Sequence, residues 1–241
     1  EQTALISTEK LLRLSEKTKR PVHVLHVTTL QEMELFKKTK AKLTGAERNS
    51  VTVEVLPQHL TLFAPDCYER LATKAQQNPP IRSKEHQEAL WKALLDGTVD
   101  VLGSDHAPHT LDEKAKIYPD SPSGMPMVQT LVPIMLNHIN NGKLSLERFV
   151  ELVCENPRRV FGCNNKGRIA IGLDADFTLV DLSASRTIEN KWIASRSGWT
   201  PFDGMKVKGW PIATVIGGRL VMQDNHILGT PQGTPVLFSN T

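Results

Sequence analysis

Asp105, His106 and His109 place one carboxylate and two imidazoles within a short stretch of the chain. They follow residues 99–102, a β-branched and aliphatic run of the kind found in strands buried on both faces. α/β barrels carry their catalytic groups at the carboxyl ends of such strands. Asp105 can accept a proton, ligate a metal or do both, and His109 can hold an anionic group of a substrate. The alternative is that Asp105 only caps a helix beside two loop histidines, because N-caps of this type are common.

Two more histidines follow strand-like runs in the same way. His26 lies in the run at residues 22–27, and His59 comes after the next run, directly behind Gln58. Because the carboxyl ends of parallel strands meet at one edge of a sheet, we expect these histidines on the same face as Asp105. We interpret His26 as a metal ligand that joins Asp105 in a zinc-type site, although a lone histidine is more often a hydrogen-bonded core residue. His59 stays ambiguous, and both it and Gln58 suit a supporting position behind the ligands.

The elements that must position these groups alternate along the first hundred residues. Helical spacing of apolar residues marks residues 8–19, 30–43 and 84–95, and strand-like runs lie at residues 22–27, 51–56 and 99–102. This alternation predicts an α/β fold with a parallel sheet and right-handed crossovers. Residues 110–121 are expected to form a polar, charged loop. From residue 167 onward, glycine and aspartate turns between short apolar runs predict a small β module, with Trp199 as a core residue.

Composition and charge narrow the classes of function. The 241 residues carry a net charge of +3 with both signs interspersed, which argues against a surface for nucleic acid or membranes. No apolar run approaches the ~20 residues that a membrane span needs. Cys67, Cys154 and Cys163 lack a CxxC spacing, so we expect free thiols in a reducing compartment, the cytoplasm. The chain begins at Glu1 within a helical pattern, and we therefore expect it to start within a longer polypeptide.

In several places the chain resembles the dihydroorotases of the amidohydrolase superfamily. Residues 103–110 (Gly-Ser-Asp-His-Ala-Pro-His-Thr) are similar to that family's signature at the eighth barrel strand. Residues 25–29 (Leu-His-Val-Thr-Thr) resemble its histidine motif at the sixth strand, and residues 54–60 resemble the segment at the seventh. Residues 78–82 (Asn-Pro-Pro-Ile-Arg) and 123–126 (Ser-Gly-Met-Pro) resemble its two substrate loops.

The resemblance implies an architecture. The chain would supply strands six to eight of a metal-dependent (β/α)8 barrel, an α/β fold, followed by a small β-sandwich module. Residues 1–162 would be the partial barrel that carries the active-site face, and residues 163–241 would be the accessory β-sandwich segment. The family's remaining metal ligands (a His-x-His pair, a bridging carboxylated lysine or carboxylate, and a further histidine) would all precede Glu1.

The resemblance also implies a site and a reaction. His26 and Asp105 would ligate zinc, present as one or two ions, and Asp105 would also act as general base and then general acid. Dihydroorotate and its carboxylate would be held by polar groups of three loops: Asn78, His109, Ser123 and Gly124. The implied reaction is the reversible cyclisation of N-carbamoyl-L-aspartate to (S)-dihydroorotate in de novo pyrimidine biosynthesis. The implied partners are this small-molecule substrate and the N-terminal half of the same protein, with a homodimer as the base-rate expectation.

Two alternatives stay open. The first is a related cyclic amidohydrolase, an allantoinase or hydantoinase; the loop at Asn78 and the histidines around Pro108 favour dihydroorotase, because a carboxylated substrate needs extra polar and cationic anchors. The second is a non-catalytic, dihydroorotase-like scaffold that partners another pyrimidine enzyme. Since His26 and Asp105 are only two ligands, we expect this chain to be inactive by itself.

Overall fold

The structure, a computed structural model, describes residues 1–239, and at residues 46 and 48 it describes the backbone alone. The described residues form two compact units. The first unit contains Glu1–Gln129 and Glu189–Asp203, and the second contains Thr130–Ile188 and the described chain from Gly204 onward. The domain boundary expected between residues 162 and 163 stays a prediction.

The first unit alternates helices with short parallel strands. In chain order its elements are α1 (Gln2–Thr18), β1 (Val22–Val24), α2 (Leu30–Lys40), β2 (Val51–Val55), α3 (Pro57–Thr61), α4 (Asp66–Leu71), α5 (Lys84–Leu95), β3 (Val101–Leu102) and α6 (Leu111–Lys114). Short 3-10 helices lie at Gly45–Asn49, Ala72–Ala75 and Asn190–Trp192. The strands pair in the order β1-β2-β3, with Val22 opposite Val51 and Glu54 opposite Val101. The predicted α/β fold with a parallel sheet is thereby confirmed.

The central strand of this sheet is buried on both faces. Val51, Val53 and Val55 are each at most 4% exposed, and Thr52 between them is 3% exposed. Because side chains alternate along a strand, Thr52 and Glu54 point to the opposite face from the three valines. A strand with so little polar surface is stable only where other parts of the protein cover both faces of its sheet.

The strand β1 is shorter than its β-branched run predicts. The apolar pattern continues to residue 27, but β1 ends at Val24. His26 has a φ of 37°, in the left-handed region, and regular strand backbone cannot continue through such a residue. The chain turns in the same way after β3, where Asp105 has a φ of 45°.

The second unit is built on an antiparallel sheet. Its elements are α7 (Leu131–Asn140), α8 (Leu146–Val150), α9 (Asn156–Phe161), β4 (Phe177–Thr187), β5 (Lys206–Ile216), β6 (Arg219–Gln223) and β7 (His226–Ile227). The strands pair in the order β4-β5-β6-β7. Helix α7 packs on β5 so closely that a Cβ at Gly209 would lie 2.5 Å from the Cβ of Leu136. The sheet begins at Phe177, and the preceding glycine-rich stretch from residue 167 forms turns.

Two further findings concern the helices and the cysteines of the described residues. None of the helices described between residues 1 and 239 combines the length and the apolar content of a membrane span. Cys67, Cys154 and Cys163 are all free thiols.

Candidate active site

His26 and Asp105 lie just beyond the carboxyl ends of two strands that flank β2. Both have left-handed backbone, with φ values of 37° and 45°. A residue other than glycine in this region costs on the order of 1–3 kcal/mol and persists only where the surrounding structure enforces it. The two residues predicted as metal ligands are therefore both held in strained backbone at the same edge of the sheet.

The carboxylate of Glu54 fills the space between these two strand ends. Its Oε1 accepts a hydrogen bond from the backbone N–H of His26 at 3.2 Å, and its Oε2 lies 3.9 Å from Nε2 of His23. A Cβ at Gly103 would lie 2.4 Å from the Glu54 carboxyl carbon, so the glycine leaves room for the carboxylate. The sequence pattern does not single out Glu54. The one signal for it is its place in β2, on the same face as Thr52.

Gln58 supports the chain immediately before Asp105. Its side chain is fully buried, and its Nε2 donates to the carbonyl of Ser104 at 3.2 Å. Among the residues that the structure describes, its Oε1 has no hydrogen-bond partner. The contact agrees with the supporting position expected for Gln58, because a fixed Ser104 carbonyl restricts the peptide that leads into Asp105.

His59 is buried against the loop that carries Asn78. Its Nε2 lies 3.1 Å from the carbonyl of Pro79 and 2.6 Å from Nε2 of Gln77, and the tautomer decides which of these bonds forms. Burial lowers the pKa of His59 to about 3, so the imidazole is neutral. These contacts favour a supporting position for His59, with the Asn78 loop as the segment that it supports.

The two predicted substrate loops contact each other. The N–H of Gly124 donates to the carbonyl of Gln76 at 2.9 Å, and Nε2 of Gln76 donates to the carbonyl of Ser121 at 2.7 Å. Asn78, two residues beyond Gln76, is exposed. These bonds bring Asn78 and Ser123 onto adjacent loops.

The loop at Gly124 also lies directly against the segment that follows Asp105. Gly124 has a φ of 141°, and a Cβ there would lie 2.5 Å from the carbonyl oxygen of Ala107 and 3.2 Å from Cδ2 of His109. Only glycine fits this contact without a shift of backbone. The side chain of His106 also fixes this loop, because its Nδ1 accepts hydrogen bonds from the backbone N–H groups of Met127 and Val128 at 3.0 and 3.2 Å.

His109 is held by its backbone and by an acidic neighbour. The indole N–H of Trp199, which is buried, donates to the carbonyl of His109 at 2.7 Å. Nδ1 of His109 lies 3.6 Å from Oε2 of Glu113. Hydrogen bonds from Thr110 hold the pKa of Glu113 below its usual value, which keeps a negative charge beside the imidazole. Sequence alone indicates Trp199 as a core residue, and nothing local to it signals the bond to His109.

The contacts thus gather the predicted residues into two adjoining groups. Strand ends around Glu54 position His26 and Asp105. Three loops, of which the Gly124 loop contacts the other two, carry the remaining four residues: Asn78, His109, Ser123 and Gly124. The assigned role of each of these six residues stays a prediction.

An imidazole and a carboxylate are donors that zinc accepts, so His26 and Asp105 fit part of a zinc site. Within residues 1–239, no cluster of three or more histidine, cysteine or acidic side chains is arranged to hold a metal ion. Catalytic zinc sites use about three protein ligands. A working centre therefore requires donors in addition to these two.

Comparison with known proteins identifies the family of the chain. Residues 9–221 match the model of the amidohydrolase family. The chain is 35% identical to a dihydroorotase from Methanothermobacter thermautotrophicus, covering 92% of this chain and 49% of that protein. It is 39% identical to a dihydroorotase from Geobacillus sp., covering 87% of this chain and 48% of that protein.

Solved structures align over similar shares of this chain and of their own chains. An L-hydantoinase from Arthrobacter aurescens aligns with a TM-score of 0.87 at 32% identity, over 93% of this chain and 50% of that one. A dihydropyrimidinase from Brevibacillus agri aligns with a TM-score of 0.85 at 27% identity, again over 93% and 50%. The chain spans about half the length of the relatives it matches. Since the family model covers most of the chain, the resemblance seen in the motifs is confirmed, and the chain belongs to the amidohydrolase family.

Proposed function

We propose that this chain forms part of a dihydroorotase, which interconverts N-carbamoyl-L-aspartate and (S)-dihydroorotate. One observation carries the proposal: the Ser123–Gly124 loop is hydrogen-bonded to the loop that leads to Asn78, and it also lies against the segment that runs from Asp105 to His109. These loops carry an amide, a hydroxyl and an imidazole, side chains that suit a polar ring that bears a carboxylate. The curated relatives named dihydroorotase support the same assignment.

The chemistry assigns each residue a part. Zinc, when bound, activates water and polarises the carbonyl of the ring amide. Asp105 takes the proton from the attacking water and delivers it to the ring nitrogen as the amide bond breaks. In the cyclisation direction, Asp105 removes the proton from the carbamoyl nitrogen as the C–N bond forms, and it gives that proton to the carboxyl oxygen that departs as hydroxide when the C–O bond breaks. His26 and Asp105 are the residues of this chain that would hold the metal.

The substrate loops bind and orient the ring. His109 offsets the charge of the substrate carboxylate, and the side-chain amide of Asn78 bonds to it or to the ring. The N–H of Gly124 is already bonded to Gln76. The loop at Ser123 and Gly124 therefore offers oxygen atoms to the N–H groups of the ring.

The finer architecture belongs to the same proposal. The three parallel strands would be strands six to eight of a (β/α)8 barrel, and the four-stranded sheet would be part of a β-sandwich. The other zinc ligands would come from the N-terminal half of the same protein, so that this chain alone would be inactive. We place the enzyme in the cytoplasm and expect a homodimer on base rates.

The test is a substrate comparison with the whole native protein, including every segment that accompanies this chain. Dihydroorotate, N-carbamoyl-L-aspartate, hydantoin and allantoin are assayed under the same conditions. A dihydroorotase should favour dihydroorotate over hydantoin by about 100-fold or more in kcat/KM, because anchors built for a carboxylate are left unpaired by hydantoin. Equal or faster turnover of hydantoin or allantoin would contradict the proposal.

The hydantoinase alternative keeps one observation in its favour, the close match to solved hydantoinases. The substrate comparison separates the two directly. The scaffold alternative is separated by metal analysis of the native protein, since a scaffold has no use for bound zinc. Stoichiometric zinc with turnover of dihydroorotate excludes it.

A further inference from the structure

Lys114, the last residue of α6, is a buried lysine whose ammonium group has carbonyl partners. The residue is 1% exposed. Its Nζ donates to the carbonyl of Pro122 at 2.8 Å and to the carbonyl of Gln76 at 3.0 Å. Within the part of the chain that the structure describes, no carboxylate pairs with it.

A charge in this position is costly. Removing an ammonium group from water disfavours its charged form, and burial lowers the pKa of Lys114 to about 8. An apolar side chain of similar length would fill the same space without that cost. The lysine is therefore best explained by what its hydrogen bonds hold together.

The two carbonyl partners of Lys114 belong to the two substrate loops. Gln76 precedes Asn78 by two residues, and Pro122 directly precedes Ser123. The backbone of Lys114 contacts the same loops, because its carbonyl accepts hydrogen bonds from the hydroxyl groups of Thr73 and Ser121.

The third anchor is connected to Lys114 through the short helix α6. Thr110 and Glu113 form a capping box that fixes the start of this helix, and His109 immediately precedes Thr110. The side chain of Lys114 thus joins two of the three loops that carry predicted substrate contacts, and its helix connects it to the third. The side chain itself is too deeply buried to contact a substrate.

We propose that Lys114 is a positioning residue whose ammonium group sets the spacing between the Asn78 loop and the Ser123–Gly124 loop. The inference rests on the proposed function for its effect on substrate binding. It predicts that loss of the ammonium group moves the two loops apart while the strand ends at His26 and Asp105 keep their geometry.

Kinetics of the whole native protein test this first. Lys114→Met should raise KM for dihydroorotate about tenfold or more and change kcat less than about threefold, because ground-state and transition-state binding are lost together. Lys114→Gln, which keeps an amide donor, should fall between Lys114→Met and the wild type. Lys116→Met is the matched control, because Lys116 is exposed on the same segment, and it should match the wild type. A KM within about twofold of wild type in both Lys114 variants would overturn the inference.

Hydrogen exchange gives a second readout that needs no activity. The amide of Gly124, bonded to Gln76, should exchange about tenfold faster in the Lys114 variants, whereas the amides of β2 should be unchanged. Unchanged protection at Gly124 would overturn the inference whatever the kinetics. If the wild type does not turn over dihydroorotate, the proposed function fails, and faster exchange at Gly124 still supports the role of Lys114 in holding the loops. Should Lys114→Met not fold, the same two measurements on Lys114→Gln decide.

Discussion

Each of the two units has a pair of polar residues with left-handed backbone next to the strands of its sheet, and the two pairs have different causes. In the second unit, Asp224 and Asn225 have φ values of 48° and 68° and connect β6 to β7 as a two-residue hairpin. Such hairpins require positive φ at both central positions, and aspartate and asparagine tolerate it. In the first unit, His26 and Asp105 follow parallel strands, where no tight hairpin demands this conformation. A positive φ in a residue other than glycine therefore indicates function only where the geometry of a turn does not require it.

The largest expected effect separates Asp105 from Asp224. Asp105→Asn removes the proposed proton acceptor and should lower kcat of the native protein about 10³-fold. Asp224→Asn makes the same chemical change in the hairpin and should leave kcat within about twofold of the wild type. The measurement is steady-state turnover of dihydroorotate by both variants. If Asp105→Asn keeps more than about a tenth of the activity, left-handed backbone at the strand end has no catalytic meaning.

A large effect on stability should separate two glycines of the two units. Gly124→Ala pushes a Cβ to 2.5 Å from the carbonyl oxygen of Ala107 and should cost about 3 kcal/mol of unfolding free energy. Gly217→Ala meets open space at a φ of 56° and should cost about 1 kcal/mol, from backbone strain alone. Urea-induced unfolding of the two variants measures both values. Equal losses would show that the contact between the Gly124 loop and Ala107 is not tight.

Low pH should lower the free energy of unfolding of the first unit, because His59 is buried there in its neutral form. Its pKa is lowered to about 3 in the folded protein, against about 6.5 in the unfolded chain, so below pH 6.5 only the unfolded chain takes up the proton. The contribution of the neutral His59 imidazole to the free energy of unfolding is therefore fully present above pH 6.5. It is lost as the pH falls toward 3, and the loss is about 2 kcal/mol at pH 5. His59→Gln should flatten this loss, whereas His226→Gln, on the exposed strand β7, should not. Unfolding free energies at pH 7 and pH 5 measure it; an equal pH dependence in the wild type and His59→Gln would contradict it.

The smallest expected effect concerns the strain itself. His26→Gly and Asp224→Gly both relieve left-handed backbone, and each should raise the free energy of unfolding by about 0.5–1 kcal/mol. Only His26→Gly should abolish turnover, because only His26 is a proposed ligand. Thermal unfolding and activity of the two variants measure this pair of outcomes. A destabilised His26→Gly variant would mean that the histidine side chain stabilises the fold, contrary to the interpretation of strain held for function.

Much of the first unit follows from local pattern. Alternation of helical and strand-like runs is sufficient for a parallel α/β sheet, because such a sheet needs a connection of helix length between its strands. The extent of β1 does not follow, since the β-branched pattern runs past Val24 while the backbone turns at His26. The periodicity of apolar residues indicates which side chains are buried. It does not change where the backbone adopts a positive φ, so it does not reveal the turn at His26.

The site was predictable where its chemistry lies in short motifs and unpredictable where support comes from distant residues. Asp105, His26 and the two loops stand in recognisable local stretches. Lys114 stands in a polar stretch that predicts an exposed loop, and only the packing of two other loops around it makes it buried. Glu54 likewise acquires its place from a neighbouring glycine almost fifty residues away, Gly103. Such contacts between distant positions leave no local periodic signal.

The bond between Trp199 and His109 has a consequence for the order in which the protein is completed during translation. The two residues are 90 positions apart in the chain, yet the indole N–H bonds directly to the His109 carbonyl. At a synthesis rate of about 5–20 residues per second, Trp199 is made on the order of ten seconds after His109. During that interval the nascent chain already contains every residue of the three-stranded sheet but lacks the indole that fastens its histidine loop. The sheet can therefore form early on the ribosome, while the loop of His109 reaches its final form only after α7, α8, α9 and β4 of the second unit have been synthesised.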